Sequence, residues 1–533
     1  MLLCDTFGSD RMNLHLAYRY LALQLSHAGF ACLRVDYPGT GDSAGMPRDT
    51  QSVAVWTGSL SLAADHLRAR SGADNLALFG ARFGGTMAAL LAAARHDVMD
   101  LILWGPFVEG RQFLRQCRAV QRMLITDAAG RAPNDRQPGD QESMGFLLTG
   151  AWVEELEPLN LTRLERAPAQ RACVLPWDDT SRMAALADAW RGLGVEVEIE
   201  SSPLFDAQRT LQQQAVPWPI LDHVDRWLCR SHATTTVARG ETAGATPASV
   251  SIEVDGEDTC VIEQAVYLAE GKGLFGILSR PSRAPERVER TGILLVNGGN
   301  NHRPGINRNG TEWARRWAAQ GWPVLRMDIR GLGDSPPAHA EDLNVLYRSE
   351  TTRDVLQAMD WMQERLGIRR FIVGGLCAGA YQALHTGVAD RRVGRVVGLF
   401  LLELLRYYPD RGLPRQVWRR KLLRARQRLD ARLPIWCRRS TRLGRWMGEL
   451  CRRGVKVLAV FNEADGMDAM FRWELGRHAS AVDRGGRLRF DLVPDGNHIF
   501  SPLWCQQEIT ASLDRYLAEI AGAEAADVQN LHT

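Results

Sequence analysis

The sequence lacks the features of a membrane-spanning or exported protein. No apolar run in its 533 residues approaches the roughly 20 that are needed to cross a bilayer. The first residues, MLLCD, lack the charged start and the apolar stretch of a signal peptide. We therefore expect a cytoplasmic protein with no membrane span.

Regularly spaced cysteines are also missing. The ten cysteines form no Cys-x-x-Cys pair, and in a long cytosolic chain this pattern indicates free thiols rather than a disulfide framework or a zinc site. Each cysteine is by default a small buried apolar residue, so a functional role has to be argued from its surroundings. We expect no metal and no cofactor.

The chain repeats itself at a period of about 292 to 295 residues, as the printed sequence shows. Residues 28–43, AGFACLRVDYPGTGDS, correspond to residues 320–335, QGWPVLRMDIRGLGDS. Residues 78–85, LFGARFGG, correspond to residues 373–380, VGGLCAGA. Two matches at a nearly constant offset indicate that a whole domain has been duplicated.

The second copy alternates β-rich runs with helical stretches. Its predicted strands cover 292–296, 324–328, 371–374, 396–402, 455–462 and 488–493, and its predicted helices lie near 311–319, 352–366 and 381–387. Continuous apolar strands between helices imply a mostly parallel sheet with helices on both faces. A hairpin of 261–268 and 274–278 is expected at the sheet edge, and the first copy begins at the strand equivalent to 292–296 without it.

These patterns predict an α/β protein with two consecutive domains of one architecture. The first domain is expected at 1–230 and the second at 252–521. Between them, residues 231–251 have the Ala-, Gly-, Ser- and Thr-rich composition of a linker. Residues 522–533 are expected to form a weakly structured tail.

Cys377 is the predicted nucleophile of the second domain. It lies in Gly375-Leu376-Cys377-Ala378-Gly379, between a predicted strand and a helix, as in the nucleophile elbow of α/β hydrolases. Small residues must flank such a turn because neighbouring backbone comes close to it. The start of the following helix would also favour the thiolate form of Cys377.

A base and an acid are expected later in the chain, in the order nucleophile, acid, histidine. His498 follows the predicted strand 488–493, on a loop before the last helix, and is the expected base. Asp465 is the expected acid after the strand 455–462, with Glu463 in reserve. The acid would fix the imidazole tautomer and stabilise the imidazolium.

Two backbone N–H groups are needed to stabilise an oxyanion. One is expected from Ala378, directly after the nucleophile. The other is expected from the loop after strand 292–296, where Gly299 and Asn300 are the candidates.

The first copy lacks the corresponding chemistry. Arg82 occupies the position of the nucleophile, and an always-charged guanidinium cannot attack a carbonyl. No histidine follows its last strand within 201–209, and Asp178 and Asp179 would have nothing to orient. We predict a pseudo-hydrolase domain in which Arg82 forms a structural salt bridge or, alternatively, binds an anion.

Both copies resemble known groups of α/β hydrolases. The second copy resembles the cysteine hydrolases found with exosortase systems, through NGGNNHRPG at 297–305, RGLGDS at 330–335, GLCAGA at 375–380, and YY at 407–408 followed by WRRK at 418–421. Where that family commonly has Asp after the cysteine, this chain has Ala378. The first copy resembles a sister group encoded beside polyketide and nonribosomal peptide genes, through YPGTGDS at 37–43, GARFG at 80–84 and LWGP at 103–106; arginine at the elbow is usual there.

A cysteine nucleophile favours acyl transfer from a thioester, because a thiolate exchanges readily with thioesters. The expected substrates are an acyl thioester of a carrier protein or CoA and a small nucleophilic acceptor, in secondary metabolite or exopolysaccharide biosynthesis. Hydrolysis by a thioesterase or esterase, and a non-catalytic interaction scaffold, are the alternatives.

Residues 406–453 hold sixteen Lys or Arg against three acids, although the net charge of the chain is only +3. We expect this segment, with its tryptophans and leucines, to form a basic cap over the pocket that docks an acidic carrier protein or CoA phosphates. No recognised nucleic-acid-binding motif accompanies the charge, so nucleic acid is not an expected partner.

Overall fold

The architecture was read from a computed structural model of the chain. It describes residues 1–124, 135–177, 180–200, 216–232, 249–254, 260–268, 273–282, 291–299, 301–339, 343, 350–399, 441–463, 467–478 and 486–531. The chain divides into two compact units, the first made of Met1–Thr126 and Asp135–Thr246 and the second containing Pro247–Thr533.

The first unit is built on a parallel sheet. Its strands are β1 (Leu2–Cys4), β2 (Leu33–Val35), β3 (Leu76–Ala81), β4 (Val98–Trp104), β7 (Arg171–Leu175) and β8 (Glu196–Ile199), in the order β2-β1-β3-β4-β7-β8. A separate antiparallel pair is formed by β5 (Gln141–Ser143) and β6 (Phe146–Leu148). Every residue of β3 is buried, as expected for a central strand covered on both faces.

Helices connect the strands of this unit. The described α-helices are Gly8–His27, Pro47–Thr50, Val53–Ser71, Phe83–Ala94, Gly110–Leu124, Gly150–Leu156, Thr180–Gly192 and Trp218–Cys229, with a 3₁₀ turn at Leu161–Arg163. Aromatic side chains fill much of the core, with Tyr37 stacked on Trp56 at a ring-centroid distance of 4.3 Å.

The second unit has a larger, mixed sheet. Its strands are β9 (Ser249–Glu253), β10 (Cys260–Tyr267), β11 (Phe275–Pro281), β12 (Thr291–Val296), β13 (Val324–Asp328), β14 (Arg370–Leu376), β15 (Val393–Leu399), β16 (Lys456–Asn462) and β17 (Leu488–Val493). The order is β17-β16-β15-β14-β12-β13-β11-β10-β9. The strands from β12 to β17 run parallel, whereas β9, β10 and β11 form an antiparallel edge.

Helices flank this sheet as well. The described α-helices are Asn309–Ala319, Thr351–Leu366, Ala378–Ala389, Arg442–Arg452, Met467–Leu475 and Leu503–Leu531, with 3₁₀ turns at Ile306–Arg308 and Gly476–His478. The helix before the elbow strand ends on a left-handed glycine in both units, Gly72 at φ 65° and Gly367 at φ 71°. Glycine adopts this conformation without a steric penalty. None of the helices in the described ranges combines the length and apolar character needed to span a membrane.

The structure departs from the expected linker and from the expected tail. Residues 249–251 of the expected linker belong to β9, which pairs with β10 and extends the predicted hairpin to three strands. The terminal helix continues to Leu531, so the expected tail at 522–533 is largely helical. Both segments lie beside stretches rich in small residues, and this composition was interpreted as linker or tail although the residues belong to a strand and a helix.

The expected basic cap at 406–453 also differs. Residues 401–440 lie outside the described part of the chain. The remainder forms the helix Arg442–Arg452, which buries Leu443, Met447 and Leu450 in the domain core. These residues recur at helical spacing, so one side of the helix packs inward. This part of the segment is therefore a core helix before β16 and not a cap.

Candidate functional site

Cys377 lies where the elbow strand β14 meets the helix Ala378–Ala389. Its backbone has φ 52° and ψ −106°, a conformation that non-glycine residues rarely adopt. Arg82 has nearly the same conformation, φ 54° and ψ −125°, between β3 and the helix Phe83–Ala94. Both units therefore contain the same strained turn between strand and helix.

Glycines make this turn possible in both units. A Cβ on Gly375 would lie 2.7 Å from the Cα of Gly379 and 2.8 Å from the carbonyl oxygen of Val296. A Cβ on Gly379 would lie 2.5 Å from that same oxygen. In the first unit, a Cβ on Gly80 would meet the carbonyl oxygen of Gly84 at 2.3 Å. The close approach of backbone to backbone explains the small residues of the motif.

Cys377 is half-buried and forms no disulfide bond with another described cysteine. The Tyr381 N–H donates to the Cys377 carbonyl at 3.0 Å, so the helix begins directly after the cysteine. The Ala378 N–H belongs to the first turn, whose N–H groups have no acceptor within the helix. This geometry aims a partial positive charge at the space beside the Cys377 thiol.

The loop after β12 passes beside the elbow. A Cβ on Gly298 would lie 3.2 Å from both the Cβ and the carbonyl oxygen of Leu376, the residue before Cys377. Gly299 has φ 58°, a conformation that suits glycine. Asn300, the other candidate for the second oxyanion N–H, lies outside the described residues. Gly299 and the elbow thus share one edge of the sheet.

A buried cluster, which we call the arginine clamp, holds this loop. It consists of Asn297, Arg303, Asp328 and Asp334. The Arg303 guanidinium donates to the carboxylates of Asp328 and Asp334, each at 2.8 Å, and the Asn297 side chain donates to Asp328 at 2.9 Å. Burial raises the pKa of the Asp328 carboxyl, and the Arg303 charge opposes that rise. Asp328 and Asp334 thus hold the loop in place, and the corresponding residues of the first copy, Asp36 and Asp42, are also aspartates.

His498 lies on the loop between β17 and the terminal helix, and it is exposed. The Asn462 side chain, at the end of β16, donates to the Gly496 carbonyl at 2.6 Å. Within the loop, the Ser501 N–H donates to the Asn497 side chain at 2.9 Å. The loop is thus attached to the carboxyl end of the strand that precedes the expected acid.

Of the two candidates for the acid, the structure describes only the reserve residue. Asp465 lies outside the described residues, whereas Glu463 directly follows β16 and is exposed. Glu463 and the His498 loop both follow the carboxyl ends of paired strands, β16 and β17. Across the described ranges, no group of three His, Cys, Asp or Glu residues could hold a metal ion.

Arg82 fills the corresponding position in the first unit. Its guanidinium forms an ion pair with Asp10 at 3.4 Å and hydrogen-bonds to the Gln116 side chain. It also lies over the rings of Phe107 and Trp177, at 4.4 Å and 4.8 Å from their centroids. Arg82 is buried and its charge is matched by Asp10, which favours the salt-bridge interpretation over an anion site. Asp178, Asp179 and residues 201–209 lie outside the described ranges.

His223 has a core role in the first unit. It is buried in the helix Trp218–Cys229, with Nδ1 at 3.2 Å from the Glu200 carboxylate and Nε2 at 3.8 Å from the Cys173 sulfur. Burial lowers the pKa of His223. Cys173 is fully buried in β7, and burial raises the pKa of its thiol, so this cysteine is unsuited to act as a nucleophile.

The arginine clamp was not identified from the sequence, although the first unit contains its counterpart. Arg11 donates to Asp5 and to Asp36, each at 2.7 Å. Burial raises the pKa of Asp5 to about 7. Arg11 and Arg303 are separated by the same 292 residues as Asp36 and Asp328, and this shared offset was the available signal.

The comparisons with known proteins agree with this architecture. A family model for serine aminopeptidase, S33, matches residues 11–145, and a model for the alpha/beta hydrolase fold matches residues 293–453. No curated protein matches the chain.

Solved structures similar to the chain include the following three hydrolase-fold proteins. Est1E from Butyrivibrio proteoclasticus is 12% identical, covering 51% of this chain and 98% of its own, with a TM-score of 0.32. Dienelactone hydrolase from Anabaena variabilis is 14% identical, with coverages of 51% and 98% and a TM-score of 0.30. An alpha-beta serine hydrolase homologue from Coxiella burnetii is 13% identical, with coverages of 51% and 98% and a TM-score of 0.30. With the two matched family models and the two mostly parallel sheets, the chain contains two α/β-hydrolase-fold domains.

Proposed function

We propose that the second domain is a cysteine-dependent acyl-transfer enzyme that forms an acyl-cysteine on Cys377. The observation that carries the proposal is the strained backbone of this half-buried cysteine at the start of a helix. Such strain persists only where the surrounding structure fixes it, and it is concentrated at functional sites. In this fold the same turn presents the nucleophile.

In the proposed first step, the Cys377 thiolate attacks the carbonyl carbon of an acyl thioester. The new S–C bond forms at Cys377, the S–C bond of the donor breaks, and the departing thiolate takes a proton from His498. The Ala378 and Gly299 N–H groups are the proposed donors to the oxyanion, with Asn300 as the alternative to Gly299. Asp465, or Glu463 in its place, orients the imidazole.

In the second step, an amine or alcohol acceptor attacks the acyl-cysteine. His498 takes the acceptor proton, and the Cys377 thiolate leaves. An acyl-cysteine is close in energy to its thioester donor, so a carrier-protein or CoA thioester is the donor class that we infer. The resemblance to exosortase-associated hydrolases and to the sister group of biosynthetic gene clusters is the basis for inferring a biosynthetic role.

The first domain is proposed to be non-catalytic. Arg82 supplies no nucleophile, and its guanidinium is engaged by Asp10, Gln116 and two aromatic rings. All covalent chemistry is therefore assigned to the second domain.

Intact-mass analysis after incubation with short- and medium-chain acyl-CoA thioesters tests the proposal. We expect a one-acyl adduct on the full-length wild type that Cys377→Ala abolishes. Cys260→Ala is the matched control, since Cys260 is also a half-buried free cysteine of the second domain, and it should acylate normally. His498→Ala should slow acylation by roughly a hundredfold or more.

The alternatives give different results. No adduct with any donor, together with normal reactivity of Cys377 toward alkylating reagents, would favour the interaction scaffold. Adducts that release only free acid when amines and alcohols are present would identify a thioesterase. Acyl amide or ester products that require Cys377 would support the transferase.

A further inference from the structure

An arginine-lined cleft lies in the second domain at the sheet edge opposite Cys377. It has a volume of about 580 Å³ and is bordered by residues at the amino-terminal ends of β12, β14, β15 and β16. Its five arginines are Arg370, Arg391, Arg392, Arg395 and Arg453. Cys377 follows the carboxyl end of β14, so this cleft is separate from the acyl-transfer site.

Two of these arginines are held in place by the protein. Arg392 pairs with the carboxylates of Asp390 and Asp360, each at 2.8 Å. Arg453 donates to the carbonyl oxygens of Gly387, Val388 and Asp390 at distances from 2.7 to 3.1 Å. These contacts orient both guanidinium groups, while the Arg453 contacts, being to carbonyls, do not neutralise its charge.

The other three lack a carboxylate partner among the described residues. Arg370 and Arg391 are exposed and form no described ion pair. Arg395 is half-buried, and its guanidinium donates to the Gly394 carbonyl at 3.1 Å. Its Nε is buried and has no acceptor within the described residues. A buried donor that lacks an acceptor is costly, so the Arg395 charge is not offset by contacts within the described residues.

In the first domain, the position equivalent to Arg395 is occupied by an acidic residue that is paired within the domain. Both domains have a one-residue irregularity at the start of the elbow strand, between Leu76 and Ala77 and between Phe371 and Ile372. Asp100 in β4 corresponds to Arg395 in β15, at an offset of 295 residues. Asp100 is completely buried and pairs with Arg171 and His232. The unmatched positive charge is therefore specific to the second domain and not a requirement of the fold.

We propose that this cleft binds a small molecule carrying two or more phosphate groups. Guanidinium groups match phosphate oxygens in a bidentate geometry. The five arginines of the cleft have only two carboxylate partners among the described residues, Asp360 and Asp390, so positive charge is in excess. The volume lies within the range of about 300–1,000 Å³ that is usual for small-molecule sites. Because the cleft is remote from Cys377, the bound anion is an effector or structural ligand and not the acyl donor in its reacting position.

Gly394 provides a way to close the cleft without disturbing the fold. It lines the cleft, and a Cβ built on it meets no heavy atom within 4 Å. Its φ also lies outside the left-handed region. Gly394→Glu would therefore place a carboxylate among the arginines and compete with a bound phosphate.

Isothermal titration of the full-length protein with pyrophosphate at low ionic strength tests the proposal. We expect saturable binding that Arg391→Gln and Gly394→Glu each weaken about tenfold or more. Arg369→Gln is the matched control, because Arg369 is exposed and adjacent to Arg370 but does not line the cleft. Its affinity should stay within twofold of wild type.

Three results would overturn the proposal. They are the absence of saturable binding, an equal heat response to sulfate at matched ionic strength, and equal weakening by Arg369→Gln and Arg391→Gln. Acylation of Cys377 without pyrophosphate is measured on the same variants, so failure of this site and failure of the acyl-transfer proposal are distinguishable.

Discussion

His385 is a half-buried titratable residue on the elbow helix that the proposed mechanism does not use. Its ring lies 4.1 Å from the Tyr381 ring and 4.4 Å from the Trp446 ring, measured between centroids. Its Nε2 is buried without a hydrogen-bond partner among the described residues. Burial, aided by the Arg442 charge, lowers the pKa of His385 to about 4.

This depressed pKa makes stability depend on pH. Between about pH 6.5 and pH 4 the unfolded chain binds a proton at His385 that the folded chain does not, so the folded state loses stability as the pH falls through this window. We expect His385→Phe to raise the free energy of unfolding more at pH 5 than at pH 8. Chemical denaturation at both pH values measures the difference, and an equal change at both would contradict the expectation.

At the scale of the elements, the strand–turn–helix of the elbow depends on glycine at two contact points. Gly375→Ala places a Cβ 2.7 Å from Gly379 and 2.8 Å from the Val296 carbonyl, both of which are backbone atoms that cannot move alone. We expect the second domain to lose about 2–3 kcal/mol of unfolding free energy. Equilibrium denaturation followed by tryptophan fluorescence measures this loss.

Gly522→Ala is the control for that substitution. Gly522 lies in the helix Leu503–Leu531, and a Cβ there meets no heavy atom within 4 Å. Alanine at this position should stabilise the helix by about 0.5–1 kcal/mol. Wild-type stability of Gly375→Ala would mean that the close backbone approach at the elbow is not required.

At the scale of the whole molecule, the proposed chemistry belongs to one domain and Arg82 serves the fold of the other. Arg82→Met leaves the half-buried Asp10 carboxylate without its cation, which should cost the first domain roughly 3 kcal/mol. Hydrogen exchange should therefore accelerate in Phe83–Ala94 and remain unchanged in Ala378–Ala389. Burial raises the pKa of Asp10, so adding Asp10→Asn should restore part of the protection.

Acylation provides the second measurement for Arg82→Met. The adduct on Cys377 should form at the wild-type rate, because Arg82 contributes no group to the proposed reaction. Loss of the adduct in a folded Arg82→Met protein would show that the first domain takes part in the chemistry.

The sequence was sufficient to predict the repeat, the parallel sheets and the elbow. Each of them is visible in short continuous segments of sequence, as apolar runs or as matching motifs. Strands β13 and β17 begin and end at the predicted residues. The arginine clamp and the arginine-lined cleft were missed for a shared reason. Arg303 pairs with Asp328, which lies 25 residues further along the chain, and Arg395 and Arg453 line one cleft although they belong to separate elements. The spacing of such contacts does not follow helix or strand periodicity, and for the clamp only the shared 292-residue offset between the two copies was a signal.

The arginine clamp also suggests how copies of this fold that have no nucleophile at the elbow can be identified from sequence. The first domain has Arg82 at the elbow, yet Arg11 and Asp36 have the same 25-residue spacing as Arg303 and Asp328. The ion pair of the clamp therefore occurs in both domains, whereas the cysteine at the elbow occurs in one of them. A search keyed to the nucleophile would overlook such a domain. A search for this arginine–aspartate spacing, followed by Gly-x-Gly-Asp-Ser, would detect duplicated domains that have no nucleophile at the elbow.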